Sequence, residues 1–203
     1  KSYEMKIVNF AEKNSELNRF VAEIRDIHIQ QDRLRFRKNL ERIGEVMSYE
    51  ISKDFRYSEK LVTTPLGTAR VNTADDKIVI GTILRAGIPY HQGFLNYFDR
   101  AENAFVSAYR KYKDKLNFEI FIEYIASPRI DGKVLILTDP MLATGGSMEL
   151  SYRALLTKDE PDLAVLERVF DHYNGKLPAD YPGRCIAPSD VLELYDAEKR
   201  RYY

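Results

Sequence analysis

The chain has 203 residues, the size of one domain or of one domain with an added segment. Thirty-one Lys and Arg balance thirty-one Asp and Glu, so no bulk field draws the chain to nucleic acid, and no nucleic-acid partner is expected. A single cysteine, Cys185, excludes an internal disulfide and a cysteine-based zinc motif, while 44% hydrophobic residues, with ten Phe and fourteen Tyr, can fill a core.

In chain order, residues 15–53 read as helix. Leu17, Phe20, Val21 and Ile24 recur at helical spacing, as do Leu40, Ile43, Val46, Met47 and Ile51. Ser15 and Asp32 are the expected N-caps, and the basic run from Arg33 to Lys38 reads as a solvated face. Thr64-Pro65-Leu66-Gly67 predicts a turn, because Pro presets φ and Gly accepts positive φ. Strands are predicted at Ile78–Leu84, Ala104–Tyr109, Phe118–Tyr124 and Val134–Thr138, with helices at Pro89–Phe98 and Ser147–Thr157. The alternation implies an α/β layer architecture with a mainly parallel sheet. Beyond Pro161 two short helices are expected, at Leu163–Tyr173 and Ser189–Asp196, with little strand signal. The longest apolar runs fall far below the roughly 20 residues of a membrane span, and no signal-peptide pattern opens the chain. A cytoplasmic protein without a membrane partner is the expectation. The start at Lys1 and the stop within a β-prone stretch at Tyr203 read as trimming at both ends.

The informative stretch is Val134-Leu-Ile-Leu-Thr-Asp-Pro-Met-Leu-Ala-Thr-Gly-Gly-Ser147. An apolar strand ends on Asp139, a small loop with two glycines follows, and a helix opens near Ser147. Ligands of open α/β sheets bind where such loops leave the carboxyl ends of strands. Gly145 and Gly146 let successive backbone N–H groups converge, and the helix adds its positive end, which together make a phosphate cradle. Thr144 and Ser147 add hydroxyls, and Asp139 is placed to hold ribose hydroxyls. No Lys follows the glycine pair and no G-x-G-x-x-G occurs, so neither a Walker loop nor a dinucleotide fingerprint is present. His28, His91 and His172 share no metal or nucleophile spacing and read as structural or surface residues; Cys185 reads as a non-catalytic thiol.

The string Asp139, Pro140, Met141, Leu142, Ala143, Thr144, Gly145, Gly146, Ser147 resembles the phosphoribosyl-pyrophosphate motif of uracil phosphoribosyltransferases. Thr82-Ile-Leu-Arg-Ala-Gly87 resembles that family's pyrophosphate loop, with Arg85 as its cation. Ser107-Ala-Tyr-Arg110 is similar to the strand end that supplies a second arginine, and Arg35–Leu40 with Thr64-Pro-Leu66 match its N-terminal helix and hairpin. The likeness covers roughly residues 7–158 and implies a type I phosphoribosyltransferase core with an N-terminal helical appendage, the implied partners being a second copy at those helices, the donor and uracil. It further implies transfer of ribose 5-phosphate from phosphoribosyl pyrophosphate to uracil, giving uridine monophosphate and pyrophosphate in pyrimidine salvage. Mg²⁺ would be held mainly through the substrate; no dedicated metal site and no catalytic acid or base is evident from the residues.

After residue 160 the likeness stops. The family's glycine-rich loop, Gly-Leu-Gly-Asp-Ala-Gly-Asp in type, whose backbone reads the uracil edge, has no counterpart, since Gly175 and Gly183 are the only glycines after Gly146. Residues 162–203, with Pro178-Ala-Asp-Tyr-Pro-Gly-Arg184 and Pro188-Ser-Asp-Val-Leu-Glu-Leu194, instead resemble YodL-like segments of mobile-element proteins. The expected division is thus 1–158 and 162–203. Donor binding is expected to be retained and uridine monophosphate formation to be poor. Two further classes stay open: a non-catalytic phosphosugar-binding module, and an interaction protein of a mobile element.

Overall fold

The computed structural model describes residues 7–112, 118–141, 146–157, 163–170 and 191–194. The chain order is β1 (Ile7–Asn9), α1 (Leu17–Arg25), α2 (Arg33–Ser52), β2 (Tyr57–Thr64), β3 (Gly67–Ala74), β4 (Ile78–Leu84), α3 (Ile88–Tyr97), β5 (Glu102–Tyr112), β6 (Phe118–Ala126), β7 (Val134–Met141), α4 (Gly146–Leu156), β8 (Leu163–Phe170) and β9 (Val191–Leu194). Seven strands form one sheet in the order β1-β9-β8-β7-β4-β5-β6. Strands β8, β7, β4 and β5 run parallel, and the outer pairings, β5 with β6, β8 with β9 and β1 with β9, are antiparallel.

The central strands are covered on both faces, as a parallel sheet requires. Alternation along β4 and β7 divides the core. Ile80, Val134 and Ile136 pack with Leu17, Val21 and Ile24 of α1, Leu40, Ile43, Met47 and Ile51 of α2, and Tyr90 and Phe94 of α3. Val79, Leu135 and Leu137 face the other way, onto Met148, Tyr152 and Leu155 of α4. The N-terminal helices are therefore one layer of the core, which corrects the expectation of an appendage. Helices α2 and α3 approach closely because Gly44 and Gly93 face each other. A Cβ on Gly93 would lie 2.0 Å from the Glu41 carbonyl oxygen.

Local signals account for most element boundaries. Asp32 caps α2, its carboxylate accepting the Arg35 N–H at 3.0 Å. Ser15 does not cap α1: the flanking residue is Glu16, and no side chain caps that end. Pro89 lies in the first turn of α3, where its missing N–H costs nothing. Strands β2 and β3 make a separate antiparallel hairpin that turns at Pro65 and Leu66, closed by Thr64 and by Gly67 at φ +135°.

Two expectations fail beyond residue 160. The helices expected at Leu163–Tyr173 and Ser189–Asp196 are replaced by strands β8 and β9. The run Leu163-Ala-Val-Leu-Glu-Arg-Val-Phe170 is short and apolar, which suits either state by pattern alone. The open edge of β7 supplies backbone partners from Val134 to Met141, and pairing there decides for strand. Among the described residues no helix is long and apolar enough to cross a membrane.

Candidate active site

Parallel pairing sends the ends of β4, β5 and β7 to one edge. Thr82 of β4 is in register with Thr138 of β7, and Leu84 of β4 with Ser107 of β5. Asp139 follows Thr138 by one residue and Arg85 follows Thr82 by three, so both lie past the paired part of β4 and β7 at the same edge, where Arg85 and Pro140 line one hollow. The turn from Arg85 to Gly87 is tight, with the Gly87 N–H donating to the Ile83 carbonyl at 3.3 Å and Ile88 N–H to the Arg85 carbonyl at 3.3 Å. The Leu84–Arg85 peptide bond is cis. A Cβ on Gly87 would stand 2.6 Å from the Thr82 methyl and 2.8 Å from the Ile83 carbonyl oxygen, so this turn has room for glycine alone.

Arg85 is exposed, Asp139 and Ser147 are half-buried, and Pro140 is buried. Met141 ends β7, and Gly146 opens α4 one residue before Ser147. Leu142, Ala143, Thr144 and Gly145 lie outside the described residues. Of Arg110 the backbone alone is described: it pairs with Ile120 where β5 and β6 run on beyond the end of β4. The strand-end residues therefore share one edge of the sheet, with Arg110 further out along β5.

Arg85 lies between two hollows. One, of about 750 Å³, is lined by Leu84, Arg85, Ala86, Ser107, Ala108, Glu123 and Tyr124. The other, of about 420 Å³ and mostly apolar, lies between Phe36, Arg37 and Leu40 of α2, the Arg85 turn, the start of α3 and Pro140. A third cavity, of about 770 Å³, opens at the opposite edge beside Ile78 and Glu102 and contains none of these residues. The carboxyl ends of the parallel strands, where ligands of open α/β sheets bind, lie at the Arg85 edge and not at this cavity. Among the described residues no three His, Cys, Asp or Glu side chains group closely enough to hold a metal ion.

Beneath the Arg85 turn lies a buried polar chain that the sequence reading did not single out. Thr82 Oγ1 stands 2.5 Å from His91 Nδ1 and 2.8 Å from Thr138 Oγ1. His91 Nε2 stands 2.7 Å from Asn103 Oδ1, and the Thr138 hydroxyl also faces the Gly81 carbonyl at 3.1 Å. Thr82 and Thr138 are fully buried, and His91 is 5% exposed with its ring against Phe105. Burial pushes the His91 pKa below its ordinary value, opposed in part by the bond to Asn103. In the neutral tautomer that satisfies these partners, Nε2–H donates to Asn103 and Nδ1 accepts from Thr82. His91 thus has the place of a buried, hydrogen-bonded histidine, and the side chains that hold its ring nitrogens come from two strands, β4 and β5.

The family model for uracil phosphoribosyltransferase matches residues 11–167. The chain belongs to the uracil phosphoribosyltransferase family. A protein named uracil phosphoribosyltransferase from Porphyromonas gingivalis is 58% identical over 180 residues, covering 86% of this chain and 83% of that one. Another of that name, from Methanothermobacter thermautotrophicus, is 37% identical over 142 residues, covering 69% of this chain and 65% of that one. A solved structure from Aquifex aeolicus superposes with a TM-score of 0.67 at 30% identity, covering 78% of this chain and 74% of that chain. The architecture is that of the type I phosphoribosyltransferases, a mainly parallel sheet between helical layers. The YodL-like domain model matches residues 136–203 and so overlaps the first match across β7, α4 and the start of β8.

Proposed function

We propose that this chain transfers ribose 5-phosphate from phosphoribosyl pyrophosphate to uracil, with uridine monophosphate and pyrophosphate as products. The observation that carries the reading is the adjacency, in a member of this family, of the Arg85 turn and the Asp139 strand end on neighbouring parallel strands. Breaking the bond from ribose C1 to pyrophosphate oxygen leaves positive charge on the sugar and extra negative charge on the leaving group. Catalysis of such a step rests on positioning and electrostatic stabilisation. In this reading Arg85 and Arg110 bind pyrophosphate oxygens through charge-assisted bonds. Asp139 holds the ribose hydroxyls, and the segment from Pro140 to Ser147 cradles the 5′-phosphate at the amino end of α4.

Magnesium fits this arrangement as an ion carried by the donor. The edge supplies scattered carboxylates, Asp139 and Glu123, in place of an all-protein cage, and Mg²⁺ commonly keeps phosphate and water ligands. When bound it neutralises charge on the departing pyrophosphate.

The reading further comprises pyrimidine salvage in the cytoplasm, and a homodimer. The β2–β3 hairpin supports the dimer, because it exposes Leu61, Val62, Leu66 and Val71, and an isolated two-stranded hairpin is marginal without cover. The proposed division assigns residues 1–158 to the phosphoribosyltransferase part and residues 162–203 to the YodL-like part, with β8 beside β7 in the stretch that both family models match. Because no glycine-rich uracil loop occurs in residues 162–203, this chain by itself forms uridine monophosphate slowly. Isothermal titration with phosphoribosyl pyrophosphate and Mg²⁺ tests the donor site. Saturable heat at one site per chain is expected; no heat of binding refutes the reading.

A further inference from the structure

We propose that His91 is a positioning residue for phosphoribosyl transfer, which with Thr82 and Thr138 locks the Arg85 turn to the Asp139 strand end. The inference rests on the functional reading above and adds a role for a side chain that lies below the site. Three elements meet at the imidazole, and a fourth is reached through Thr82. His91 is in the first turn of α3, its own N–H donating to the Gly87 carbonyl at 2.8 Å. Its two ring nitrogens reach Thr82 on β4 and Asn103 on β5, and Thr82 passes the connection to Thr138 on β7.

Each threonine stands next to a piece of the site. Thr138 immediately precedes Asp139. Thr82 presents its hydroxyl to His91 and its methyl to Gly87, at the closest approach of the turn that displays Arg85. The three side chains are sealed from solvent, so they act on the donor through the two loops and not by contact. A buried, mutually satisfied polar chain has few alternative arrangements, which suits it to fixing the separation between two binding loops. The donor spans that separation, since its pyrophosphate goes to Arg85 and its ribose to Asp139. Inorganic pyrophosphate does not span it. Loosening the lock therefore weakens the donor far more than pyrophosphate alone.

The test compares titrations of phosphoribosyl pyrophosphate and of inorganic pyrophosphate, both with Mg²⁺, alongside thermal unfolding. His91→Leu removes both ring contacts but keeps an apolar side chain beside Phe105. It is expected to weaken the donor about tenfold, equivalent to about 1.4 kcal/mol, with pyrophosphate affinity changed less than about threefold. Thr138→Val, which keeps shape and loses the hydroxyl, gives the same pattern, and Thr138→Ser restores donor affinity. Unchanged donor binding in folded His91→Leu and Thr138→Val overturns the inference, as does an equal loss for both ligands. Should His91→Leu not fold, the valine and serine pair decides alone. A wild-type chain that binds pyrophosphate but shows no preference for the donor also overturns it. A wild-type chain that binds neither ligand refutes the functional reading, and the inference falls with it.

Discussion

Replacing Gly93 by alanine places a methyl group against the backbone of α2. The new Cβ would stand 2.0 Å from the Glu41 carbonyl oxygen and 3.0 Å from the Gly44 Cα. An ordinary C···O contact is about 3.3 Å, so α2 and α3 must part by roughly 1 Å. Neither neighbour is a side-chain tip that can swing away. Parting the helices opens gaps among Leu40, Ile43, Met47, Tyr90 and Phe94, and a gap of 0.5–1 Å forfeits about a quarter to a half of each dispersion contact. Overpacking of this kind costs about 1–3 kcal/mol or more, and the better helix propensity of alanine returns about 1 kcal/mol. A 2.0 Å approach to backbone puts the substitution at the upper end, a net loss of about 2 kcal/mol, which lowers Tm by about 4–8 °C in a chain of this size. Gln92→Ala, one position earlier on the exposed face of α3, is the control and should stay within about 0.5 kcal/mol of wild type. Thermal unfolding by circular dichroism reads both. A Gly93→Ala chain as stable as the control would show that α2 does not belong to the core layer described above.

Arg85→Ala should raise the donor Kd roughly 10- to 150-fold, corresponding to loss of a charge-assisted contact of about 1.5–3 kcal/mol. Its exposed side chain makes Tm insensitive to the change, and Arg85→Lys should recover only part of the affinity because the bidentate fork is lost; titration calorimetry measures both. The pH dependence of stability follows from His91, whose folded-state pKa is depressed by burial. Below its unfolded pKa of about 6.5 the unfolded chain takes up a proton that the folded chain resists, so this contribution is complete above that pH and falls away as pH drops. Thermal scans from about pH 7.5 to pH 5 should show a declining Tm, with a smaller decline in His91→Leu. Glu41, held low by its bond to Lys38, loses its contribution only at lower pH, through the carboxylate range.

The sequence made the centre of the molecule readable because its signals there are local. Strand β4 spans Ile78–Leu84 as its apolar run suggests, and Asp32 caps α2 where the pattern places a cap. Asp139 follows the buried apolar run as expected, but the strand does not stop at Thr138: pairing with β8 carries β7 on through Asp139 to Met141. What stayed hidden depends on residues far apart in the chain. Gly44 and Gly93 look unremarkable singly, yet their contact makes the N-terminal helices a core layer. His91 joins Thr82 and Asn103, and Thr82 joins Thr138 across 56 positions, with no spacing that marks them in advance. Strand β8 is ambiguous by composition and is settled by the free edge of β7.

Conversion of radiolabelled uracil bears most directly on the central claim, that residues 82–147 form a donor site and that the base-reading part is missing from residues 162–203. The assay compares this chain with a version carrying a glycine-rich family tail after Lys158, each with phosphoribosyl pyrophosphate and Mg²⁺. Both chains should bind the donor, and the unaltered chain should make uridine monophosphate on the order of 100-fold more slowly than the grafted one. Robust turnover by the unaltered chain would contradict the account, because residues 162–203 would then build a base pocket.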